Sequence, residues 1–321
     1  MKQQLQHRAL IPDLLLIGVA MIWGGSYLAA KHLVAATDVE TALTLRYAMA
    51  FAGMLGYIAW RRGAWRISRR TALIGGGLGL SQAAILWLET AGVGLTSATN
   101  AGLLISLSLI FTPLLEVMVL RRALPGRFYL LALMAVVGAM LLSSGAALRA
   151  PGIGDLLVLM AAVVRALHVT ATAKLLRAND DLPQIVTLQI LAGFLLFLAL
   201  AAPRLATTLP RLGAESWLNA IFLGLACSVF AFLVQAWAVR RSSAARASLL
   251  MGTEPVWAVA IGLSLGGEHV TGIQGLGIVL VVIATMLGAR VERLAREQRL
   301  RRLMSRGHPS RTTEHLAAHE G

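Results

Sequence analysis

The fold is decided by a stretch that occurs twice, Thr96-Ser97-Ala98-Thr99-Asn100-Ala101-Gly102-Leu103-Leu104 and Ser242-Ser243-Ala244-Ala245-Arg246-Ala247-Ser248-Leu249-Leu250. Each copy is a turn of small residues that opens a long apolar segment. The same offset of 146 residues aligns Leu78-Gly79-Leu80 with Gly224-Leu225-Ala226, and Gly138-Ala139-Met140-Leu141 with Ala284-Thr285-Met286-Leu287. A repeat of this length, much longer than a solenoid period, indicates a duplicated domain.

The composition is typical of a polytopic membrane protein. Of the 321 residues, 57% are hydrophobic and 14% are charged, and the mean hydropathy is +0.73. Soluble domains have roughly 45–50% apolar and about 25% charged residues. The single cysteine, Cys227, excludes an internal disulfide framework and a thiolate metal cage. The net charge of +14 arises from short loops between apolar segments, so we expect no nucleic-acid partner.

The apolar segments predict an all-α integral membrane protein with ten transmembrane helices. They lie near residues 10–30, 41–60, 71–92, 97–120, 127–145, 154–176, 183–203, 216–239, 244–265 and 271–290. The first apolar run is long enough to cross a bilayer and many more spans follow. We therefore expect an uncleaved first helix in place of a signal peptide.

Lysine and arginine are divided unevenly between the two sides of these spans. Of the 29 basic residues, 23 lie on the side of the termini and four on the other side, which predicts that both termini are cytoplasmic. Residues 1–9 are then a cytoplasmic N-terminus and residues 291–321 a basic cytoplasmic tail. Each repeat, 10–145 and 154–290, holds five spans, and this odd number inverts one half relative to the other. Inverted repeats are typical of transporters with a central site near the midplane.

Several short motifs, taken together, resemble one family. They are Met21-Ile22-Trp23-Gly24-Gly25-Ser26, Leu45-Arg46-Tyr47, Thr96-Ser97-Ala98 with Pro113, Ser243-Ala244, Glu254-Pro255 and Gly267-Glu268. In this order, on ten spans, they resemble the EamA type of the drug/metabolite transporter superfamily. The resemblance implies a multi-pass carrier of the bacterial inner membrane, often an exporter of amino acids, other metabolites or toxic compounds. The chain departs from that pattern at Arg165, where an aromatic residue is common in the family.

Two charged residues are expected at the middle of the membrane. Arg165 and Glu254 each lie ten residues into a span, so each reaches a depth of about 15 Å from opposite faces. Such residues normally face a wet cavity or another helix, and a buried ion pair is the alternative to a ligand-binding role. We predict that both face one cavity. His168 lies one turn after Arg165 and is a candidate proton carrier, or a structural hydrogen-bonding group.

Five further side chains are candidate walls of that cavity, namely Trp23, Ser26, Gln82, Ser106 and Ser108, with Tyr27 nearer the end of its span. For each of them, helix packing is the alternative role. Three other charged residues are assigned structural roles. We expect Glu116 to reach Arg121 or Arg122, Arg46 to extend toward the membrane surface, and Glu89 to be solvated at the end of its span.

The function favoured by these patterns is secondary active transport of a small organic solute. A Walker-type phosphate loop is absent from the sequence, so we expect transport without ATP hydrolysis. The expected partners are a small-molecule substrate, the lipid bilayer and protons as the coupling ion, with a homodimer left open. No cofactor or metal is expected, because no second histidine or carboxylate has metal-ligand spacing. The alternatives are a membrane-embedded enzyme, which the absence of HExxH and GxSxG motifs disfavours, and a non-transporting scaffold or sensor.

Overall fold

The structure, a computed structural model, describes residues 2–61, 67–95, 104–105, 107–120, 124–143, 152–241, 243–254, 256–257, 260–261 and 271–306. Within these ranges the regular secondary structure is helical. The helices are α1 Lys2–Ala36, α2 Val39–Arg61, α3 Arg69–Leu95, α4 Ser108–Leu120, α5 Gly126–Ser143, α6 Ile153–Leu175, α7 Leu182–Thr208, α8 Ala214–Arg241, α9 Ala244–Met251 and α10 Gly272–Arg306.

Seven of the described helices, α1, α2, α3, α6, α7, α8 and α10, contain segments long and apolar enough to cross a membrane. Two more, α4 and α5, are shorter and apolar, over Ser108–Val119 and Gly126–Gly138. The prediction of an all-α membrane protein is confirmed. Each described helix overlaps one of the ten predicted spans, while the number of spans stays a prediction.

Local sequence signals explain where two of the helices begin. Asp38 separates α1 from α2, and its Oδ1 accepts a hydrogen bond from the backbone N–H of Thr41 at 3.0 Å. Ser243 precedes α9 and its Oγ accepts from the Arg246 N–H at 3.1 Å. Both residues satisfy backbone donors that the first turn of a helix leaves free.

Helix α8 contains a wide turn in its middle. Residues Phe222–Phe230 form a π-helix between two α-helical segments. The carbonyl of Cys227, in this turn, accepts hydrogen bonds from Trp23 Nε1 at 2.9 Å and from Arg46 Nη2 at 3.5 Å. Arg46 Nε also donates to Ser228 Oγ at 2.9 Å. The partner of Arg46 is therefore α8, and the expectation that it reaches the membrane surface is wrong.

The contacts between helices are nearly symmetric. Most pairs of helices in contact have a counterpart formed by the helices at the equivalent positions of the other half. Helices α2, α4 and α5 each pack against the helix five places later, α7, α9 and α10. Helix α3 packs against α6 and α7, and its counterpart α8 packs against α1 and α2. At the α2–α7 contact, Gly193 faces the ring of Tyr47, which occupies the equivalent position 146 residues earlier. The core thus lies between the halves.

Candidate functional site

A buried ion cluster lies at Arg165, in the middle of α6. Its Nη1 is 3.1 Å from Glu254 Oε2, and its Nη2 is 3.0 Å from Glu89 Oε2. The guanidinium lies over the ring of Trp23, 5.2 Å from its centroid. Tyr27 donates a hydrogen bond to Glu254 Oε1 at 2.6 Å. We refer to these five residues as the Arg165 cluster.

The cluster joins the two halves of the chain. Trp23, Tyr27 and Glu89 come from α1 and α3 of the first repeat, and Arg165 and Glu254 come from the second. Each charged side chain is at most 13% exposed, so its charge needs a partner in this apolar surrounding. Two carboxylates share one guanidinium, which leaves a surplus of carboxylate over cation within the cluster.

Arg165 and Glu254 lie together, as their equal depth along their helices predicts. They pair directly, and both line a small cavity of about 10 Å³. Ser108 lines the same cavity, together with Ser248 of α9. The Ser108 carbonyl accepts a hydrogen bond from Ser248 Oγ at 3.3 Å. This cavity therefore lies at a contact between α4 and α9.

Arg165 also lines a second small cavity. It is lined by Trp23, Ser26, Gln82 and His168, among others. His168 Nδ1 lies 2.8 Å from Ser81 Oγ on α3, and Ser26 Oγ donates to the Trp23 carbonyl on its own helix at 2.7 Å. The structure thus brings seven of the eight predicted site residues to adjoining cavities. The eighth, Ser106, lies outside the described residues.

A larger cavity of about 340 Å³ continues from the second cavity toward one end of the bundle. Its wall contains Lys31, near the end of α1, and Gly94, near the end of α3. It shares Ser26, Arg46 and Glu89 with the second cavity. We call this end the Lys31 face. The three cavities together extend from the Lys31 face to the Arg165 cluster.

Glu89 is the residue of the cluster that sequence reasoning placed wrongly. It was expected to be solvated, but it is 9% exposed and paired with Arg165. The sequence did contain a signal. The residue 146 positions later is Gln235, and both line the second cavity. A polar side chain at equivalent positions of two apolar helices indicates a shared polar environment. Ser108 and Glu254 are related in the same way.

Glu116 has an unforeseen role at the start of α9. It is 1% exposed, and its Oε2 accepts a hydrogen bond from the backbone N–H of Ala245 at 2.6 Å. A carboxylate at the first turn of a helix satisfies a free donor and is stabilised by the helix dipole. Its expected partners, Arg121 and Arg122, lie outside the described residues.

Comparisons with known proteins agree with this architecture. The model of the EamA-like transporter family matches twice, over residues 10–144 and 152–289. A protein from Archaeoglobus fulgidus described as an uncharacterized transporter is 23% identical over 282 residues, which are 87% of this chain and 86% of the relative. One solved crystal structure of a protein superposes with a TM-score of 0.72 at 20% identity, over 88% of this chain and 98% of the other. That likeness concerns the fold alone.

The two family matches cover most of the sequence, and they coincide with helices that enclose a string of cavities leading to a buried ion cluster. The chain belongs to the EamA-like transporter family.

Proposed function

We propose that this transporter is a secondary active carrier that exports small organic metabolites, such as amino acids or related toxic compounds, by alternating access. The observation that carries the proposal is the string of three cavities, which extends from the Lys31 face to charged groups deep in the bundle. A route that reaches the middle from one side is what a carrier requires in one of its two orientations. The location would be a bacterial inner membrane, with both termini in the cytoplasm.

The exchange symmetry of the helix contacts supports two inverted five-helix repeats. Pairs such as α2–α7 and α5–α10 relate each helix to its own counterpart, as a two-fold axis between the halves would. The contact between Gly193 and Tyr47 joins two such equivalent positions. With five spans per half, the two halves enter the membrane in opposite directions.

The charges of the site favour a solute that carries both signs. Arg165 binds two carboxylates of the protein, so a solute carboxylate has to replace one of them. An amino acid can do this without leaving a buried charge unpaired. Its carboxylate takes the place of Glu89 or Glu254, and its ammonium group binds the carboxylate that has been displaced. Trp23 and Tyr27 offer aromatic faces for an apolar side group.

A second candidate is an organic cation. The Arg165 cluster contains two carboxylates for one guanidinium. Arg165 contacts Oε2 of Glu89, so a cationic solute can bind the same carboxylate through Oε1. In that case amino acids with a blocked carboxylate should bind as well as free ones. An amino-acid substrate predicts the opposite.

Coupling to protons would involve the same groups. Glu254 can carry a proton when Arg165 turns to another partner, and His168 lies one turn away on α6. Either residue would link proton uptake to the charge state of the cavity.

The test is a thermal-shift screen of the purified protein against amino acids, their amides and cationic dyes, followed by flux of the best ligand in proteoliposomes. We expect Arg165→Gln to weaken binding roughly 10- to 100-fold, because a charge-assisted hydrogen bond contributes about 1.5–3 kcal/mol. The control is Arg204→Gln, which removes an arginine that is 52% exposed and paired with Asp38, and it should leave affinity within about twofold.

The same assay separates the alternatives. A proton gradient or solute on the opposite side of the membrane should accelerate flux without ATP. Flux that needs ATP and ignores both would contradict the proposal. A scaffold or an enzyme would show no flux of any solute that it binds.

A further inference from the structure

A second buried ion cluster lies at the opposite end of the bundle. Arg246 of α9 donates from Nε to Asp13 Oδ1 of α1 at 3.0 Å, and its Nη2 pairs with the other oxygen of that carboxylate. Its Nη1 also lies 3.8 Å from Glu292 Oε2 of α10. The side chains of Arg246 and Glu292 are 5% and 4% exposed.

This cluster fixes the start of α9 between three other helices. Asp13 and Glu292 bind the Arg246 side chain from α1 and α10. Glu116 of α4 accepts from the Ala245 N–H, one residue earlier. These contacts connect α1 and α4 of the first half with α9 and α10 of the second. The two halves are therefore held together here by charged groups.

The cluster also lies beyond the inner end of the cavities. Asp13 precedes Lys31 by 18 residues on the same helix, a distance of roughly 27 Å. We call its end of the bundle the Asp13 face. The cavity at Glu254 reaches Ser248 and Met251 of α9. The buried apolar residues Leu16, Val19 and Ala20 lie between Asp13 and Trp23 along α1, and buried Ala247 lies between Arg246 and Ser248 on α9.

We propose that Arg246, Asp13 and Glu292 form a latch that keeps the Asp13 face closed while the Lys31 face is open. This inference rests on the proposed alternating access, in which the solute must leave the central cavity through each face in turn. To open the Asp13 face, α1 must part from α9, and the Asp13–Arg246 pair is a polar contact that joins them there.

An ion pair suits a contact that must both close and open. In the closed state the charges of Asp13 and Arg246 are largely shielded from water and neutralise each other. In the open state water enters and hydrates each of them, so neither charge is left buried and unpaired. An apolar contact at the same place would instead expose hydrophobic surface to water on opening. The latch therefore lowers the free-energy difference between the two states compared with an apolar seal.

The experiment measures access to the cavity from each face. Cys227 is replaced by alanine, and Ser248→Cys places a thiol in the wall of the cavity at Glu254. A charged, membrane-impermeant maleimide is added to one face at a time in membrane vesicles of known orientation. We expect negligible labelling from the Asp13 face when the latch is intact. Asp13→Asn and Arg246→Gln should each raise that labelling rate at least tenfold, and the double variant should exceed neither by more than about twofold.

A matched control breaks another ion pair near the same end of the bundle. Arg70 of α3 pairs with Asp180 at 2.6 Å, in the connection between α6 and α7. Helix α3 packs closely along both α6 and α7, so this pair does not hold a path shut on its own. Arg70→Gln should leave labelling from the Asp13 face at the level of the parent.

Two results overturn the latch. One is labelling of Ser248→Cys from the Asp13 face that already proceeds at full rate in the parent. The other is unchanged labelling in folded Asp13→Asn and Arg246→Gln proteins. If these two variants do not fold, Glu292→Gln decides, because its carboxylate makes an ion pair without a direct hydrogen bond to Arg246. Faster labelling in Glu292→Gln supports the latch, and no change refutes it.

Failure of the proposed function would look different. A parent protein that binds and moves no solute refutes the carrier, whatever the labelling shows. A parent protein that transports, with latch variants that leave access unchanged, refutes the latch alone.

Discussion

At the scale of single residues, the decisive feature is that one cation serves two carboxylates. Glu89 and Glu254 each contact a different nitrogen of Arg165, and Tyr27 supports Glu254 from α1. Replacing Arg165 by a neutral residue leaves the carboxylates of Glu89 and Glu254 close together in a site shielded from water. Loss of either glutamate leaves the arginine still paired. The three substitutions should therefore have unequal effects on stability.

We expect Arg165→Met to lower the free energy of unfolding by about 3–5 kcal/mol, as is usual when a buried pair loses one partner. Glu254→Gln should lower it by about 1–3 kcal/mol, because Arg165 keeps Glu89. The double variant should recover only part of the loss, since Glu89 is then still unpaired. Denaturant titration of the detergent-solubilised protein measures all three. A double variant as stable as the parent would show that Glu89 does not share the arginine.

At the scale of elements, the glycines of α3 divide into two groups. A Cβ on Gly79 would lie within 3.0 Å of the Gln189 backbone and of the Ala192 side chain on α7. A Cβ on Gly76 would meet nothing within 4 Å. In the glycine-rich stretch Gly75-Gly76-Gly77 with Gly79, some glycines are therefore needed for the close approach of α7, and others face open space.

Gly79→Ala is expected to cost roughly 1–3 kcal/mol in stability, because the backbone of α7 has to move away. Gly76→Ala, three residues earlier on the same helix, is the control and should be neutral or stabilise by up to about 1 kcal/mol through helix propensity. Unfolding midpoints of the two variants, compared in the same detergent, test this. Equal effects at both positions would mean that α3 and α7 are not in close contact at Gly79.

At the scale of the whole molecule, the arrangement in the membrane follows from where the charges lie. The connection between α6 and α7 carries Arg177 and follows Lys174, and the connection after α7 carries Arg211. The excess of basic residues on the side of the termini predicts that the first of these connections is cytoplasmic.

Reporter fusions after Asn179 and after Gly213 should therefore give opposite results. A phosphatase reporter should be inactive after Asn179 and active after Gly213, and a fluorescent reporter should show the reverse. The same activity at both sites would mean that α7 does not cross the membrane. A reversed pair would place the termini outside.

The sequence predicted how far along its helix a residue lies, but not toward which neighbouring helix its side chain points. Rise per residue placed Arg165 and Glu254 at the same level, and they pair. The same rule could not show that Glu89 turns inward, because rotation depends on which helix lies beside α3. Arg246 and Asp13 were separated by 233 residues, and no local pattern relates them. Contacts of this kind are set by tertiary packing, so only the repeat offset of 146 residues gave any warning of polar positions.

The π-helix of α8 makes the two halves unequal. One repeat earlier, the equivalent residues 76–84 belong to α3 and form an ordinary α-helix. Under the proposed alternating access, two identical halves that exchanged their shapes would convert one orientation into the other, and both orientations would be equally populated at rest. The π-helix at Phe222–Phe230 has no counterpart in α3, so we expect the two orientations to differ in free energy. Every 1.4 kcal/mol of that difference biases the resting population about tenfold, so under the proposed alternating access we expect one orientation to predominate before any solute or gradient is present.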